Sequence, residues 1–280
     1  MKTFTRHMTP KRVKACVLDW SGTVCDKYTM APAITFQKTF EKHGIQVSVN
    51  QCREPMGLRK DLHLEHMLFN DGDIKQQWSL MYKRRPQEID VTSLYTTFIP
   101  LQMLCLKDHG TLIPGTLETF ETLQGEQGIK MGSTTGFTRQ MIDILNHEAA
   151  LQGVVLDSTV GGDEVEHGCR PSPHMLFQNL DNMNIDDVHT VVKVDDTVGG
   201  IQEGLNAGCW TVGVSRYSNY MNIDSEEHEK SLSAEQLEER NQASAEKLRA
   251  AGAHYVVDSI ADLPGVVEKI NKRLYQKLMP

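Results

Sequence analysis

The chain has no block of basic residues, no zinc-spaced cysteines, no internal repeat and no low-complexity segment. Acidic residues outnumber basic ones 37 to 29, for a formal net charge of -8. That balance argues against nucleic acid or an anionic membrane as the main partner. An anionic substrate would need a local cluster of positive groups or a metal ion. The six cysteines are Cys16, Cys25, Cys52, Cys105, Cys169 and Cys209, and no CxxC or HxxxH pair occurs among the residues. A structural zinc site is therefore not expected, and the six are read as reduced thiols of a cytoplasmic protein. No apolar stretch reads as long enough to cross a bilayer. Met1–Lys14 lacks the apolar core of a secretory signal. Its Lys2, Arg6, Lys11, Arg12 and Lys14, without an acid, leave an organellar presequence as the alternative to a short frayed tail. What remains is ordinary globular composition, 39% hydrophobic and 24% charged over 280 residues. This is enough for one large domain or two modest ones.

The stretch Ala15–Asp26 organises the rest. Four apolar residues run into Asp19, and Ser21-Gly22-Thr23 follows at once. A short apolar run ending in a turn reads as a buried parallel strand feeding a loop. In an open α/β sheet, ligands bind at the carboxyl end of such a strand. A buried carboxylate is costly unless a cation or hydrogen bonds hold it. On this stretch alone, Asp19 is equally a catalytic or metal-binding group and a turn residue capping the Gly22 loop.

Between Asp26 and His109 the pattern is helical: Ile34–His43 with Gly44 as a stop, a helix after a cap at Asn50 running from Arg53 to about Phe69, then Ile74–Arg84 and Val91–Lys107. No buried strand is expected there, so residues 26–108 read as a helical unit inserted into a core made of 1–25 and 109–280. From Leu112 onward, strands and helices alternate. Ile129–Gly136 reads as a strand then a loop, Val188–Val194, Trp210–Val214 and Ala253–Val257 read as strands, and Val154–Leu156 and Thr159-Val160 as short extended candidates, with helices between them. The alternation argues for a doubly wound parallel sheet, Rossmann-like in architecture. The Glu-rich stretch from Ser215 to Arg249 reads as an exposed loop followed by a solvated helix over Ala234–Ala250.

Polar groups fall at the ends of these strands. Asp19 follows the first, Ser133-Thr134-Thr135-Gly136 the second and Asp195-Asp196 a third, while Arg170 precedes a helix. Asp19 and Asp196 could hold a divalent cation, since magnesium needs few carboxylates beside waters and substrate oxygen. Ser133 and Thr134 suit phosphate oxygens, and Arg170 adds a fixed positive charge. Taken singly, each is more often a loop, a helix cap or a surface ion pair.

The set in this order resembles the haloacid dehalogenase superfamily of phosphotransferases. The resemblance runs through Asp19-Trp20-Ser21-Gly22-Thr23, Gly132–Gly136, Arg170 in place of the usual lysine, and Asp196 within Val194–Thr197. It implies an α/β core with a helical cap, an aspartate nucleophile and Mg2+ held by Asp19, Asp196 and the carbonyl of Ser21. Phosphatases of that superfamily carry a general-acid aspartate two residues after the nucleophile, and here that position is Ser21. Serine has far too high a pKa for that proton transfer.

A second resemblance offers another route. Met56-Gly57-Leu58-Arg59-Lys60, with His63 one turn on, is similar to the segment that carries the Schiff-base lysine in the phosphonoacetaldehyde hydrolase family, as are Gly132–Arg139 and Arg170-Pro171. This resemblance implies cleavage of a carbon–phosphorus bond in a small phosphonate. Asp19 and Lys60 would be catalytic, His63 would tune the amine or shuttle protons, and Met56, Ser133, Thr134 and Arg170 would contact substrate. It also implies a homodimer. Three positions depart from the pattern. Gly200 stands where an aspartate is usual, Asp195 replaces a glycine, and Phe137 replaces a tyrosine. As a strand neighbour of Asp196, Asp195 is expected to point the other way.

Overall fold

The computed structural model describes residues 11–280; the presequence reading falls largely on residues 1–10, outside them. Six parallel strands form one sheet in the order β3-β2-β1-β4-β5-β6. They are β1 (Ala15–Leu18), β2 (Lys130–Thr135), β3 (Ser158–Gly161), β4 (Val191–Asp195), β5 (Trp210–Val214) and β6 (Tyr255–Val257). β1 pairs with both β2 and β4, and Leu18 lies opposite Ser133 on one side and Val194 on the other. This central position explains why Ala15–Leu18 is fully buried and continuously apolar. Chain order reverses across β1, which places a crevice beyond its carboxyl end. Asp19 and Asp196 each follow a strand that ends at this crevice.

Six helices and no strand lie between β1 and β2, apart from bridges at Cys25, and the first five form the insertion: α1 (Met30–Lys42), α2 (Val49–Arg53), α3 (Lys60–Asn70), α4 (Gly72–Tyr82) and α5 (Glu88–Asp108). They share a core of Phe36, Phe40, Leu64, Trp78, Leu94 and Phe98. The later helices are α6 (Thr116–Phe120), α7 (Arg139–Leu151), α8 (His174–Asn182), α9 (Val198–Ala207), α10 (Glu226–Ser231), α11 (Ala234–Ala250) and α12 (Leu263–Tyr275).

Five expectations need correction. The helix expected from Arg53 to Phe69 is two helices, α2 and α3. The cap of α2 is Ser48, whose hydroxyl accepts from the Gln51 N–H, rather than Asn50. Between α2 and α3 the chain turns through Pro55 and Gly57, the latter at φ +100°. Contrary to the reading of apolar runs, α5 is long and apolar enough by composition to cross a membrane. Here it packs against α1, α3 and α7 with Leu94, Phe98 and Leu106 buried. Val154–Leu156 is not a strand. The segment after β5 is not an exposed loop either: Ser215, Ser218, Asn219, Met221 and Ile223 are buried.

Candidate active site

Asp19 sits one residue past β1, with its backbone N–H bound to Val194 O at 3.0 Å. The side chain is nearly enclosed and meets Arg170 Nη2 at 2.8 Å through Oδ1. Burial raises its pKa, and the Arg170 guanidinium opposes that rise. Arg170 is fixed from several sides. Its Nη2 also donates to Thr134 O at 2.5 Å and lies 3.1 Å from Asp195, while Nε reaches Glu203 Oε2 at 3.2 Å. Arg170 is therefore held beside Asp19 from several sides.

Beneath it lies an ion network that the sequence reading missed. Lys193 on β4 and Glu203 on α9 are both fully buried. Lys193 Nζ donates to Thr134 Oγ1 at 2.6 Å and lies 3.0 Å from Asp195 and 3.2 Å from Glu203. Thr134 Oγ1 in turn donates to Glu203 Oε2 at 2.7 Å. A lysine inside Val191–Val194 and a glutamate between Gln202 and Gly204 were the available signals, since neither suits a buried apolar face.

This network corrects two assignments. Thr134 spends its hydroxyl on Lys193 and Glu203, and Ser133, deeper in the strand, has its hydroxyl oxygen buried without a partner. Neither lines the small cavity over Asp19. Thr135, at the end of β2 and on the opposite face from Thr134, lines it instead, together with Ser21, Thr29, Met56, Lys60, Phe137 and Arg170. The cavity holds only about 20 Å3, room for a water and not for a phosphonate.

Lys60 begins α3 and enters this cavity from the helical insertion. It is 5% exposed, and its ammonium stands 4.6 Å from the Phe137 ring centre and 5.9 Å from that of Phe36. Burial brings its pKa down to about 8, with the Asp19 carboxylate opposing. The turn before α3 places it: a Cβ on Gly136 would stand 2.5 Å from Leu58 O, so only glycine lets that turn lie against the β2 loop. His63 is behind Lys60 rather than in the cavity. Its Nε2 is 2.9 Å from Cys52 O, and its ring stacks on Phe36 at 3.7 Å. A carbonyl only accepts, so Nε2 carries the proton and Nδ1 is bare. Burial, with the Lys60 cation beyond it, lowers the His63 pKa well below the usual range and keeps the ring neutral.

The residues also fit a divalent cation. Asp19, Asp195 and Asp196 are buried, and each offers a carboxylate oxygen within 4.8 Å of the others. Asp196 Oδ2 accepts from the Asn219 N–H at 2.9 Å, while buried Oδ1 has no partner. Burial, followed by the Asp19 and Asp195 charges, raises the Asp196 pKa strongly. A cation among the three would reverse that cost. Asp195 thus does not point away, contrary to its strand neighbourship. It lies at the very end of β4, where Oδ1 accepts from the backbone N–H and hydroxyl of Thr197 and turns the carboxylate inward. Arg170 and Lys193 outweigh burial and lower its pKa. Gly200 is its complement. A Cβ at position 200 would stand 1.9 Å from the Asp195 carboxyl carbon, so that carboxylate fills the space a side chain at 200 would take.

Residues 13–208 match the model of the haloacid dehalogenase-like hydrolases. The chain is 42% identical over 264 residues to a phosphonoacetaldehyde hydrolase of Parabacteroides distasonis, covering 94% of this chain and 98% of that one. It is 38% identical over 274 residues to a phosphonoacetaldehyde hydrolase of Pseudomonas fluorescens, covering 98% of both. The crystal structure of a phosphonoacetaldehyde hydrolase-like protein from Oleispira antarctica superposes with a TM-score of 0.91 at 38% identity, over 97% of this chain and 96% of that one. A β-phosphoglucomutase from Clostridium difficile, 17% identical, shares the fold at a TM-score of 0.66 over 94% of this chain and 99% of its own.

Proposed function

The chain belongs to the phosphonoacetaldehyde hydrolases within the haloacid dehalogenase-like hydrolases, and from that membership we propose how its residues divide the work. The reaction hydrolyses the carbon–phosphorus bond of phosphonoacetaldehyde to acetaldehyde and phosphate. The observation that carries this reading is the enclosure of Lys60 in one cavity with Asp19 and Arg170.

Carbon leaves phosphorus only if it can take the bonding electrons with it. Neutral Lys60 Nζ attacks the aldehyde carbon, and loss of water gives an iminium. A Lys60 pKa of about 8 leaves roughly a tenth of the amine neutral at pH 7. The faces of Phe137 and Phe36 suit the cationic iminium. An Asp19 oxygen then attacks phosphorus, and the C–P electrons flow into the iminium to form an enamine. Protonation at carbon and addition of water release acetaldehyde and free Lys60. Water cleaves the Asp19 acyl phosphate, giving phosphate and restoring the carboxylate. No oxygen leaving group needs a proton, so Ser21 in place of an acid fits the chemistry.

Arg170 holds the phosphonyl oxygens, Thr135 and Ser21 border them, and Met56 covers the aldehyde end. His63 acts through Lys60 as a positioning residue. Asp19, Asp196 and the Ser21 carbonyl would hold Mg2+, with Asp195 beside them; when bound, the ion offsets repulsion between Asp19 and the anionic phosphorus group. A homodimer belongs to the same reading, supported by the apolar Ile89 and Leu104 of α5, 64% and 65% exposed. Sedimentation velocity checks it: a monomer at micromolar concentration contradicts it.

The test is release of phosphate and acetaldehyde from phosphonoacetaldehyde, with Mg2+ and with a chelator. Equimolar products, lost with chelator and in Asp19→Asn, support the reading. Turnover of simple phosphate esters that survives Lys60→Ala would point to a phosphatase instead.

A further inference from the structure

Arg53 is a charged residue that the mechanism does not use, yet it is among the most enclosed in the molecule, at 3% exposure. It ends α2, in the helical insertion, and its guanidinium crosses into the α/β core. Nη1 donates to Asn219 Oδ1 at 3.0 Å and Asn219 O at 3.2 Å, and Nη2 donates to Ile223 O at 2.6 Å. Asn219 answers with Nδ2 donating to Arg53 O at 3.0 Å. Nη1 also donates to Tyr28 O at 2.5 Å, in the linker between β1 and the insertion. That linker is under backbone strain, with Asp26, Tyr28 and Thr29 at φ 52°, 63° and 55°.

The same Asn219 supplies the backbone N–H bound to Asp196 Oδ2, and Ser218 Oγ donates to Asp196 O at 2.9 Å. One short segment therefore touches the insertion on one side and the metal-site carboxylate on the other. The cavity between insertion and core is too small for substrate, so the insertion must lift for substrate to enter and seat again for Lys60 to reach it.

We propose that Arg53 and Asn219 form a latch that couples seating of the helical cap to the geometry of Asp196, so that cation binding and cap closure favour each other. This rests on the metal-site reading above. Both residues are positioning residues and touch no reacting atom. Two sites joined through one closed state must show reciprocal coupling. Occupying the carboxylate site should tighten the linker, and breaking the latch should weaken cation binding.

The experiment uses the full-length, substrate-free chain with Mn2+ as probe. Affinity is read by titration calorimetry, and hydrogen exchange is followed in the linker amides Tyr28–Ala31. Wild type should show slower linker exchange with Mn2+. In Arg53→Ala, Mn2+ affinity should fall by about tenfold, within the usual range of coupling between sites, and the linker should no longer respond to Mn2+. Arg53→Lys should recover part of the affinity. Asn219→Ala keeps the backbone N–H to Asp196 and should show the same uncoupling, which also covers the case in which Arg53→Ala fails to fold. Equal Mn2+ affinity in wild type and Asn219→Ala, or an equal Mn2+ effect on their linkers, overturns the latch alone. A wild-type chain without Mn2+ affinity overturns the metal site, and the latch with it.

Discussion

The lowered pKa of Lys60 comes at a cost to the fold. Its pKa is brought from 10.5 to about 8 by burial. The folded state therefore disfavours the ammonium by about 2.5 pH units, on the order of 3 kcal/mol. That penalty is complete below pH 8 and vanishes as pH rises from 8 to 10.5, where the unfolded chain also loses its proton. Lys60→Met should then unfold at higher denaturant concentration than wild type at pH 7, with the two converging near pH 10.5. On the proposed mechanism, Schiff-base formation should have the opposite profile, rising about tenfold per pH unit and levelling near pH 8. The Asp195 and Gly200 pair makes a second prediction at this scale. Asp195→Gly should weaken Mg2+ binding by about tenfold or more, and adding Gly200→Asp to that variant should restore much of it. Gly200→Asp alone should destabilise, because its Cβ meets the Asp195 carboxyl carbon at 1.9 Å. Calorimetry and denaturant unfolding read both. The sequence marked both positions as departures but could not pair them: strand alternation turns Asp195 outward, and only the Thr197 hydrogen bonds at the strand end turn it back.

Among the elements, the break between α2 and α3 matters most. Pro55 and Gly57 were visible punctuation, but the apolar spacing of Met56, Leu58, Leu62 and Leu64 argued for a continuous helix. In the folded chain the turn is held open by tertiary contact with the β2 loop, which propensity does not encode. It brings Lys60 to the first position of α3 and sends it into the core. Gly136→Ala should push this turn back, since the added Cβ would approach Leu58 O at 2.5 Å. Small displacements of a reacting group are expensive. kcat/KM should fall by about tenfold or more, with unfolding free energy changed much less. On β2, Ser133-Thr134-Thr135 was legible as a site motif. Which hydroxyl lines the cavity over Asp19 was not, because the answer depends on buried Lys193 and Glu203 claiming Thr134.

At the level of the whole molecule, the parallel sheet and the all-helical insertion were legible because strands buried on both faces leave apolar runs and helices leave periodic ones. Burial of the segment after β5 was not, since its polar residues are satisfied by distant partners such as Arg53 and Asp196. The site gathers four buried carboxylates, Asp19, Asp195, Asp196 and Glu203, against three buried cations, Lys60, Arg170 and Lys193. A divalent ion should therefore act on global stability. Saturating Mg2+ at a hundredfold its Kd adds about 2.7 kcal/mol. That corresponds to a rise in Tm of roughly 5–10 °C, checked by calorimetry. The raised pKa of Asp196 means its charge costs the metal-free fold stability at neutral pH. Asp196→Asn should stabilise the metal-free chain at pH 7 and remove the Mg2+ response.

In the proposed mechanism Lys60 must attack the aldehyde before Asp19 attacks phosphorus. Borohydride added during turnover of phosphonoacetaldehyde should reduce the imine to a stable adduct, 2-phosphonoethyl if trapped before carbon–phosphorus cleavage and ethyl if trapped after it. Mass spectrometry should find that adduct on the peptide carrying Lys60, with activity lost in proportion. Full turnover with no adduct at Lys60, or an adduct on another lysine, would contradict it.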